Sequence, residues 1–220
     1  MKTILDKLEA YSMGYELDCR GWCEMPILFY ASSTQVTSGL PSQEIFTCKT
    51  LLLGVCESCS ISDCEIDFSH LVSNESRKLR LKYGVYGKSW CASNDKIDVY
   101  NIRNTKEQHL GFVVMKMKIC ECWWEIYDNK GKSLYTIKQN KVLSCPCSKT
   151  DTKYSIEPIE KGNIGGSIVK KWNSCCVNKA NPEDCLVTFP KNIEWRCKAL
   201  IISACIWLYK DQFLKDVCVL

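Results

Sequence analysis

Alternation of apolar and polar residues runs through the middle of the chain and predicts short β-strands joined by turns. Between Gly111 and Ile119, Val113, Met115 and Met117 recur at every second position, which is the period of a strand with one buried face. Further candidate strands are residues 27–30, 64–68, 78–81, 97–100, 122–127, 134–137, 154–157, 167–172 and 186–189. About ten short strands at this spacing predict a sandwich or a barrel.

The periodicity changes after Pro190, and a helix is predicted over about residues 193–213. Asn192 can cap this helix, and Glu194 is expected in its first turn. The central part is apolar on every face, as in helices that are buried in a large core or in lipid. The longest apolar run has eleven residues, whereas a helix that crosses a bilayer needs about 20. A buried helix is therefore favoured. The residues expected to face the core or the membrane are Ala199, Ile202, Cys205, Ile206 and Tyr209.

Composition and charge narrow the function classes without identifying a partner. The chain has 29 Lys and Arg, 25 Asp and Glu, and 46% hydrophobic residues, the balance of a folded globular protein. The net charge of +4 is small and the basic residues are dispersed, so nucleic-acid binding is not expected. Weak attraction to an anionic membrane surface is compatible with this charge. Because no linker or repeat divides the sequence, we predict one domain over residues 1–220.

The 17 cysteines are expected to be reduced thiols in the cytosol. No apolar signal-peptide core is present at the N-terminus, and an odd number of cysteines cannot pair completely within one molecule. Cys56 and Cys59 have the spacing of half a zinc site, and either Cys145 with Cys147 or Cys120 with Cys122 could supply a second pair in space. Since a second CxxC is missing, zinc is not expected and surface or inert thiols are the favoured interpretation.

Candidate catalytic groups are few. The two histidines, His70 and His109, are predicted on turns and have no orienting partner nearby in sequence. No Ser/His/Asp or Cys/His arrangement is therefore indicated, and we predict no bond-making chemistry.

The segment over residues 181–192 places oxygen-bearing side chains in a predicted loop before a strand. Hard cations such as calcium prefer oxygen ligands. The candidate ligands are Asn181, Glu183, Asp184 and Asn192. Solvated turn residues are the alternative interpretation.

The C-terminal third has a distinctive order of elements. Residues 166–172 form a glycine-led strand ending in two lysines and a Trp, the acidic loop follows, and Phe189-Pro190 precedes a hydrophobic helix opened by Lys198-Ala199. This order resembles the phospholipid scramblase family. Upstream, residues 110–114 with the hairpin to Ile137, and residues 144–147, are similar to the central part of the family. Looser similarity in residues 14–16 and 27–31 extends the resemblance over nearly the whole chain.

The resemblance implies both a fold and an activity. The implied fold is mainly β: a closed antiparallel tubby-like barrel of about twelve strands around the C-terminal helix. The implied activity is ATP-independent, calcium-responsive, bidirectional movement of phospholipids between leaflets. Membrane phospholipids are the implied partners, and palmitoylated cysteines hold the domain to the cytosolic face of the plasma membrane or of another membrane.

Two departures from the family pattern change what is expected of the sites. Where the family has a dense cysteine run, this chain has only Cys91, and a stable anchor usually needs two acyl chains. The further S-acylation candidates are Cys56, Cys59, Cys145 and Cys147. Asn181 and Asn192 stand where acidic residues are typical, which implies weak calcium binding, mainly through Glu183 and Asp184.

An alternative function comes from a different class. In it, the protein is a membrane-associated adaptor that binds lipids or proteins and moves no lipid. Lys170 and Lys171 stand where the family has a nuclear import segment, although two lysines on a strand more commonly form a solvated face. The sequence indicates no particular oligomeric state.

Overall fold

The computed structural model describes residues 5–6, 8–17, 24–33, 44–53, 64–68, 78–89, 92–103, 106–118, 121–140, 151–160, 164–171 and 179–209. In this part of the chain, the strands are β1 (Ala10–Leu17), β2 (Glu24–Ser33), β3 (Glu44–Leu53), β4 (Cys64–Asp67), β5 (Lys78–Ser89), β6 (Ala92–Arg103), β7 (Lys106–Lys118), β8 (Glu121–Asp128), β9 (Ser133–Gln139), β10 (Thr152–Pro158), β11 (Gly166–Lys170) and β12 (Lys179–Thr188). The C-terminal helix, α1, spans Trp195–Leu208.

The twelve described strands form a closed antiparallel barrel. Each strand pairs with its neighbours in sequence, and β1 closes the barrel by pairing with β12. Because consecutive strands run in opposite directions, β2, β8 and β10 end, and β3, β9 and β11 begin, at one end of the barrel, which we call the β2–β3 end. At the other, the β1–β2 end, β3, β5, β9 and β11 end, and β4, β6, β10 and β12 begin. The predicted mainly-β barrel with a C-terminal helix is confirmed.

All ten predicted strands overlap observed strands, whereas β1 and β3 were not predicted. Both of these strands bury successive residues. In β1, Tyr11, Ser12 and Met13 are all buried, and in β3, Ile45 is followed by the equally buried Phe46. Consecutive buried residues remove the period-two signal on which strand prediction depends.

Helix α1 fills the interior of the barrel. Every residue from Lys198 to Tyr209 is buried, and Ala199, Ile202, Cys205 and Ile206 are each at most 1% exposed. The Ser203 hydroxyl donates to the Ala199 carbonyl at 2.9 Å, so this buried polar group is satisfied within the helix. The apolar surface on every side of α1 therefore packs against barrel strands.

The start of α1 differs from the prediction. The N-cap is Glu194, which has an extended backbone (φ −66°, ψ 147°) and makes no side-chain cap hydrogen bond. Asn192 lies in the preceding turn with a φ of 56°, a left-handed conformation that Asn tolerates well. Predictions that Asn192 caps the helix and that Glu194 lies in its first turn are therefore wrong. Residues 210–213 of the predicted helix lie outside the described residues.

Candidate functional site

Lys198 ties the first turns of α1 to the N-terminal residues of the chain. Its Nζ donates to the carbonyl oxygens of Leu5 at 2.6 Å and Asp6 at 3.0 Å, and the residue is only 5% exposed. Nζ also lies 5.7 Å from the centre of the Phe189 ring. Burial lowers the pKa of Lys198, and the nearby Asp6 and Glu9 partly offset this shift. The two carbonyls replace part of the water that the amine loses on burial.

Replacing Lys198 by methionine is expected to loosen this N-terminal contact at a modest cost in stability. Two hydrogen bonds are lost, but the buried amine is also removed, so we expect a net loss of about 1 kcal/mol. Hydrogen exchange should become faster at residues 5–9. The control is Arg196→Met, because Arg196 lies on the same helix and its side chain is 47% exposed. Equal exchange in both variants would contradict the role of Lys198.

Further along α1, the Cys205 thiol lies beside the Tyr11 hydroxyl inside the barrel. Burial raises the pKa of Cys205 to about 12, and the neighbouring Tyr11 hydroxyl lowers it only in part. The Tyr11 ring contacts Phe46 edge-on at 5.7 Å and Phe189 at 5.6 Å. Since thiolates rather than thiols are the nucleophiles, Cys205 is an inert core residue in this structure.

Residues 181–184, which we call the acidic segment, lie within β12 and not in a loop before a strand. Met13 pairs with Cys185 and Tyr15 pairs with Ala180, so Gly14 of β1 faces the four residues 181–184 of β12. Pro182 has no backbone N–H for the ladder, which accounts for a break in pairing here. The structure thus places the backbone of Asn181, Glu183 and Asp184 in a register break near the β1–β2 end.

Asn192 is separated from the other candidate calcium ligands. It follows β12 in an exposed turn, and this turn lies at the β2–β3 end, where β12 finishes. The rest of β12, from Cys185 to Thr188, stands between it and the acidic segment. Of the four candidates, the structure therefore groups Asn181, Glu183 and Asp184.

His109 was predicted on a turn without a partner, and this prediction is wrong. It lies in β7, with its Nε2 3.1 Å from Asp98 Oδ1 and its ring 5.0 Å from that of Tyr100. Asp98 also accepts a salt bridge from Lys96 at 2.9 Å. The arrangement is a polar surface contact on the outside of the barrel. His70 lies outside the described residues.

All the candidate S-acylation cysteines, Cys56, Cys59, Cys91, Cys145 and Cys147, lie outside the described residues. The described strands that flank them in sequence are β3 and β4, β5 and β6, and β9 and β10. In each of these pairs, the first strand ends and the second strand begins at the β1–β2 end. Among the described cysteines, Cys48, Cys64, Cys185 and Cys205 are buried, and no group of three or more potential metal ligands occurs within the described part of the chain.

A groove on the outer face of β3, β4 and β5 brings together charged residues that no sequence pattern connects. Its volume is about 650 Å³. Two carboxylates of β4, Glu65 and Asp67, and three cations of β5, Lys78, Arg80 and Lys82, line it. Strand register places Glu65 opposite Arg80 and Asp67 opposite Lys78, and the period of two directs all five side chains outward.

Within the groove, Glu65 is the central acceptor. Arg80 donates to it from Nε at 3.1 Å and from Nη2 at 2.7 Å. Lys78 Nζ lies 3.1 Å from Glu65 and 4.0 Å from the Asp67 carboxylate. The hydrogen bond from Arg80 is the main cause that lowers the pKa of Glu65. The ammonium of Lys78 is therefore held between two carboxylates.

Beside these pairs, Glu107 of β7 reaches across β6 to two cations of the groove. One of its carboxylate oxygens accepts from Arg80 and the other accepts from Lys82 Nζ at 2.9 Å. The hydrogen bond from Lys82 lowers the pKa of Glu107. One oxyanion is thus held between two cations. Glu107 lies 25 residues from Lys82 and 27 residues from Arg80 in the sequence, and no sequence pattern indicates a pairing at such separations.

Comparison with known proteins identifies the family. The family model described as Scramblase matches residues 76–215. The chain belongs to the scramblase family. It is similar to phospholipid scramblase 4 of Mus musculus and of Homo sapiens, each 24% identical over 100 residues, which cover 44% of this chain and 29% of the relative. The matched part is thus less than a third of the relatives' length. No solved structure gives a significant match.

The family match covers only part of the barrel. The family match contains β5 to β12 and α1, while β1 to β4 precede it and complete the same barrel. The groove spans this boundary, because Glu65 and Asp67 precede residue 76 and the three cations follow it. In the described part of the chain, none of the helices combines the length and hydropathy needed to cross a membrane.

Proposed function

We propose that this scramblase-family barrel moves phospholipids in both directions between leaflets, without ATP and in response to calcium. In this proposal it acts at the cytosolic face of the plasma membrane or of another membrane, held there by S-acylated cysteines. The movement makes and breaks no covalent bond, so no catalytic residues are involved. Membership of the scramblase family supports the lipid partner.

The observation that carries the calcium part of the proposal is the topology of the β1–β2 end. β12 begins there with residues 181–184 in its first half, and the described strands that flank the candidate acylation cysteines in sequence end or begin at the same end. An acyl anchor at this end would bring Glu183 and Asp184 close to the membrane surface. Calcium is then well placed to act where the protein meets the lipid.

The mechanism follows from the position of the register break. A cation bound through Glu183 and Asp184, with Asn181 as a weaker ligand, would draw residues 181–184 together and change the pairing of β12 with β1. Since β12 continues through Phe189 and Pro190 directly into α1, this change would shift the helix relative to the barrel. Calcium would thereby control exposure of an apolar segment at the membrane.

Lipid movement can be tested by dithionite quenching in vesicles that contain the purified protein and a lipid with a fluorescent headgroup. We expect quenching well beyond the outer-leaflet half, and faster quenching at millimolar calcium. The variant Glu183→Ala/Asp184→Ala is expected to lose the whole calcium-dependent increase in rate while the rate without calcium is unchanged.

The matched control for this experiment is Glu157→Ala/Glu160→Ala. It also removes two carboxylates, both exposed and at the β2–β3 end of the barrel, and it should keep the calcium response. A full calcium response in the Glu183→Ala/Asp184→Ala variant would rule out the proposed calcium site.

A second candidate function, the adaptor, is favoured by the burial of α1. Lys198 holds the start of the helix to the N-terminal residues, and the helix is buried from that residue onward. If the helix stays in the barrel, the domain binds lipids or proteins and moves no lipid. Quenching that stops at half with and without calcium, for protein that is folded and vesicle-bound, would favour the adaptor.

A further inference from the structure

The groove on β3 to β5 contains a paired anion site and cation site. At one position, Arg80 and Lys82 both bind the Glu107 carboxylate, with Lys82 Nζ at 2.9 Å. At the other, Glu65 and Asp67 both face the Lys78 ammonium, at 3.1 and 4.0 Å. In the free protein, the Glu107 carboxylate thus occupies the anion site and the Lys78 ammonium occupies the cation site.

These internal groups are exchangeable. The side chains of Lys78, Arg80 and Glu65 are each 36% exposed and that of Glu107 is 31% exposed. Ion pairs at such an exposed surface contribute little to stability. A ligand that offers a phosphate to the cations and an ammonium to the carboxylates can therefore replace Glu107 and Lys78 at little cost.

The charge pattern selects among phosphate-bearing ligands. The three cations of the groove face Glu65 and Asp67, and Glu107 adds a third carboxylate. A ligand with phosphate alone leaves the carboxylates unfavourably placed beside it, whereas one that also carries an ammonium matches both charges. The two sites lie on neighbouring strands, which are separated by about 4.8 Å. A phosphate and an ammonium joined by two carbon atoms fit this separation.

We infer that the groove binds the headgroup of an amine-bearing phospholipid, with its phosphate on Arg80 and Lys82 and its ammonium on Glu65 and Asp67. This inference rests on the proposed function and names the lipid class that the barrel recognises. A primary ammonium can donate hydrogen bonds to both carboxylates, which the quaternary ammonium of a choline headgroup cannot do. Phosphoethanolamine is the smallest ligand that carries both groups.

Binding can be measured by NMR titration of the full chain with phosphoethanolamine, inorganic phosphate and ethanolamine. We expect phosphoethanolamine to bind about tenfold more tightly than either fragment. Arg80→Gln should weaken its binding about tenfold, because a charge-assisted pair is lost. Glu107→Gln should strengthen binding, since this variant removes the internal competitor for the phosphate.

The matched control is Lys132→Gln. Lys132 forms an exposed ion pair with Glu160 at 2.6 Å, at the β2–β3 end and outside the groove, so its removal should leave binding unchanged. Absence of saturable binding, inorganic phosphate binding as tightly as phosphoethanolamine, or weaker binding in both Arg80→Gln and Lys132→Gln would each overturn the inference. Thermal melting confirms that each variant is folded.

The source of the ligand is decided by competition. The lipid headgroup is supported if phosphatidylethanolamine vesicles displace bound phosphoethanolamine while phosphatidylcholine vesicles do not. Displacement by neither vesicle assigns the groove to a soluble ester and overturns the lipid assignment. Lipid movement is tested separately with labelled phosphatidylcholine. If phosphoethanolamine does not bind but the protein still moves lipid, only the groove assignment is contradicted. If phosphoethanolamine binds but the protein moves no lipid, only the proposed function is contradicted.

Discussion

Replacing Trp207 by alanine is expected to lower the free energy of unfolding by about 3–5 kcal/mol, the usual cost of removing a large aromatic side chain from a core. Trp207 is 1% exposed and lies near the end of α1. Its ring packs edge-on against Tyr83 of β5, with 6.1 Å between the ring centres. The barrel strands cannot move inward to fill the space, because each strand is hydrogen-bonded to two neighbours. A cavity therefore remains.

Chemical denaturation followed by circular dichroism measures this loss. The matched control is Trp195→Ala, the same change at the first residue of the same helix, where the side chain is only partly buried. We expect a clearly smaller effect at Trp195. Equal effects at the two positions would mean that the barrel does not enclose the second half of α1 in solution.

Much of the fold could be predicted from the sequence because most strands bury one face and expose the other. β4 is the plainest example, since Cys64 and Ile66 are buried while Glu65 and Asp67 alternate with them. Helix α1 could be predicted as buried because it is apolar on every side. The break in β12 could not be predicted, because it depends on which residues of β1 lie opposite residues 181–184.

The candidate sites were less predictable, for the same physical reason. Lys198 is satisfied by carbonyls 192 and 193 residues away in sequence, and Glu107 reaches Arg80 across an intervening strand. Such contacts depend on barrel closure and register, which are not local properties of the sequence. The acidic segment was found because carboxylates cluster along the chain, whereas the groove is assembled from three strands.

The buried thiol of Cys205 makes the stability of the barrel sensitive to alkaline pH. Its pKa is raised from 9.0 to about 12, and that of Cys197 is raised to about 11 by burial. Above pH 9 the unfolded chain releases these protons while the folded chain keeps them. Stability therefore falls as the pH rises from 9 towards these folded values. Cys205 alone should account for about 2–3 kcal/mol of lost stability by pH 11.

Other buried groups modify this slope in known directions. Burial also raises the pKa of Tyr11, and that of Tyr135 to about 12, which adds to the loss above pH 10. Lys198 acts in the opposite direction, because burial lowers its pKa. As the pH rises towards 10.5, the buried amine loses its proton before the amine of the unfolded chain does, so Lys198 alone makes the folded protein more stable. The free energy of unfolding should still fall as the pH rises, because the buried thiols and phenols that destabilise the fold outnumber the one amine that stabilises it.

The test compares how stability changes between pH 8 and 11 in the wild type and in Cys205→Ala. The variant should lose stability less steeply above pH 9, whatever its stability at pH 8. Ser203→Ala is the control, because Ser203 is equally buried on the same helix and does not titrate in this range; its slope should match the wild type. An unchanged slope in Cys205→Ala would show that the thiol is accessible to water in the folded protein.

The same thiol also reports on function, because it becomes reactive only if α1 leaves the barrel. Faster labelling of Cys205 with vesicles and calcium than with vesicles alone would therefore favour lipid movement by helix displacement over the adaptor.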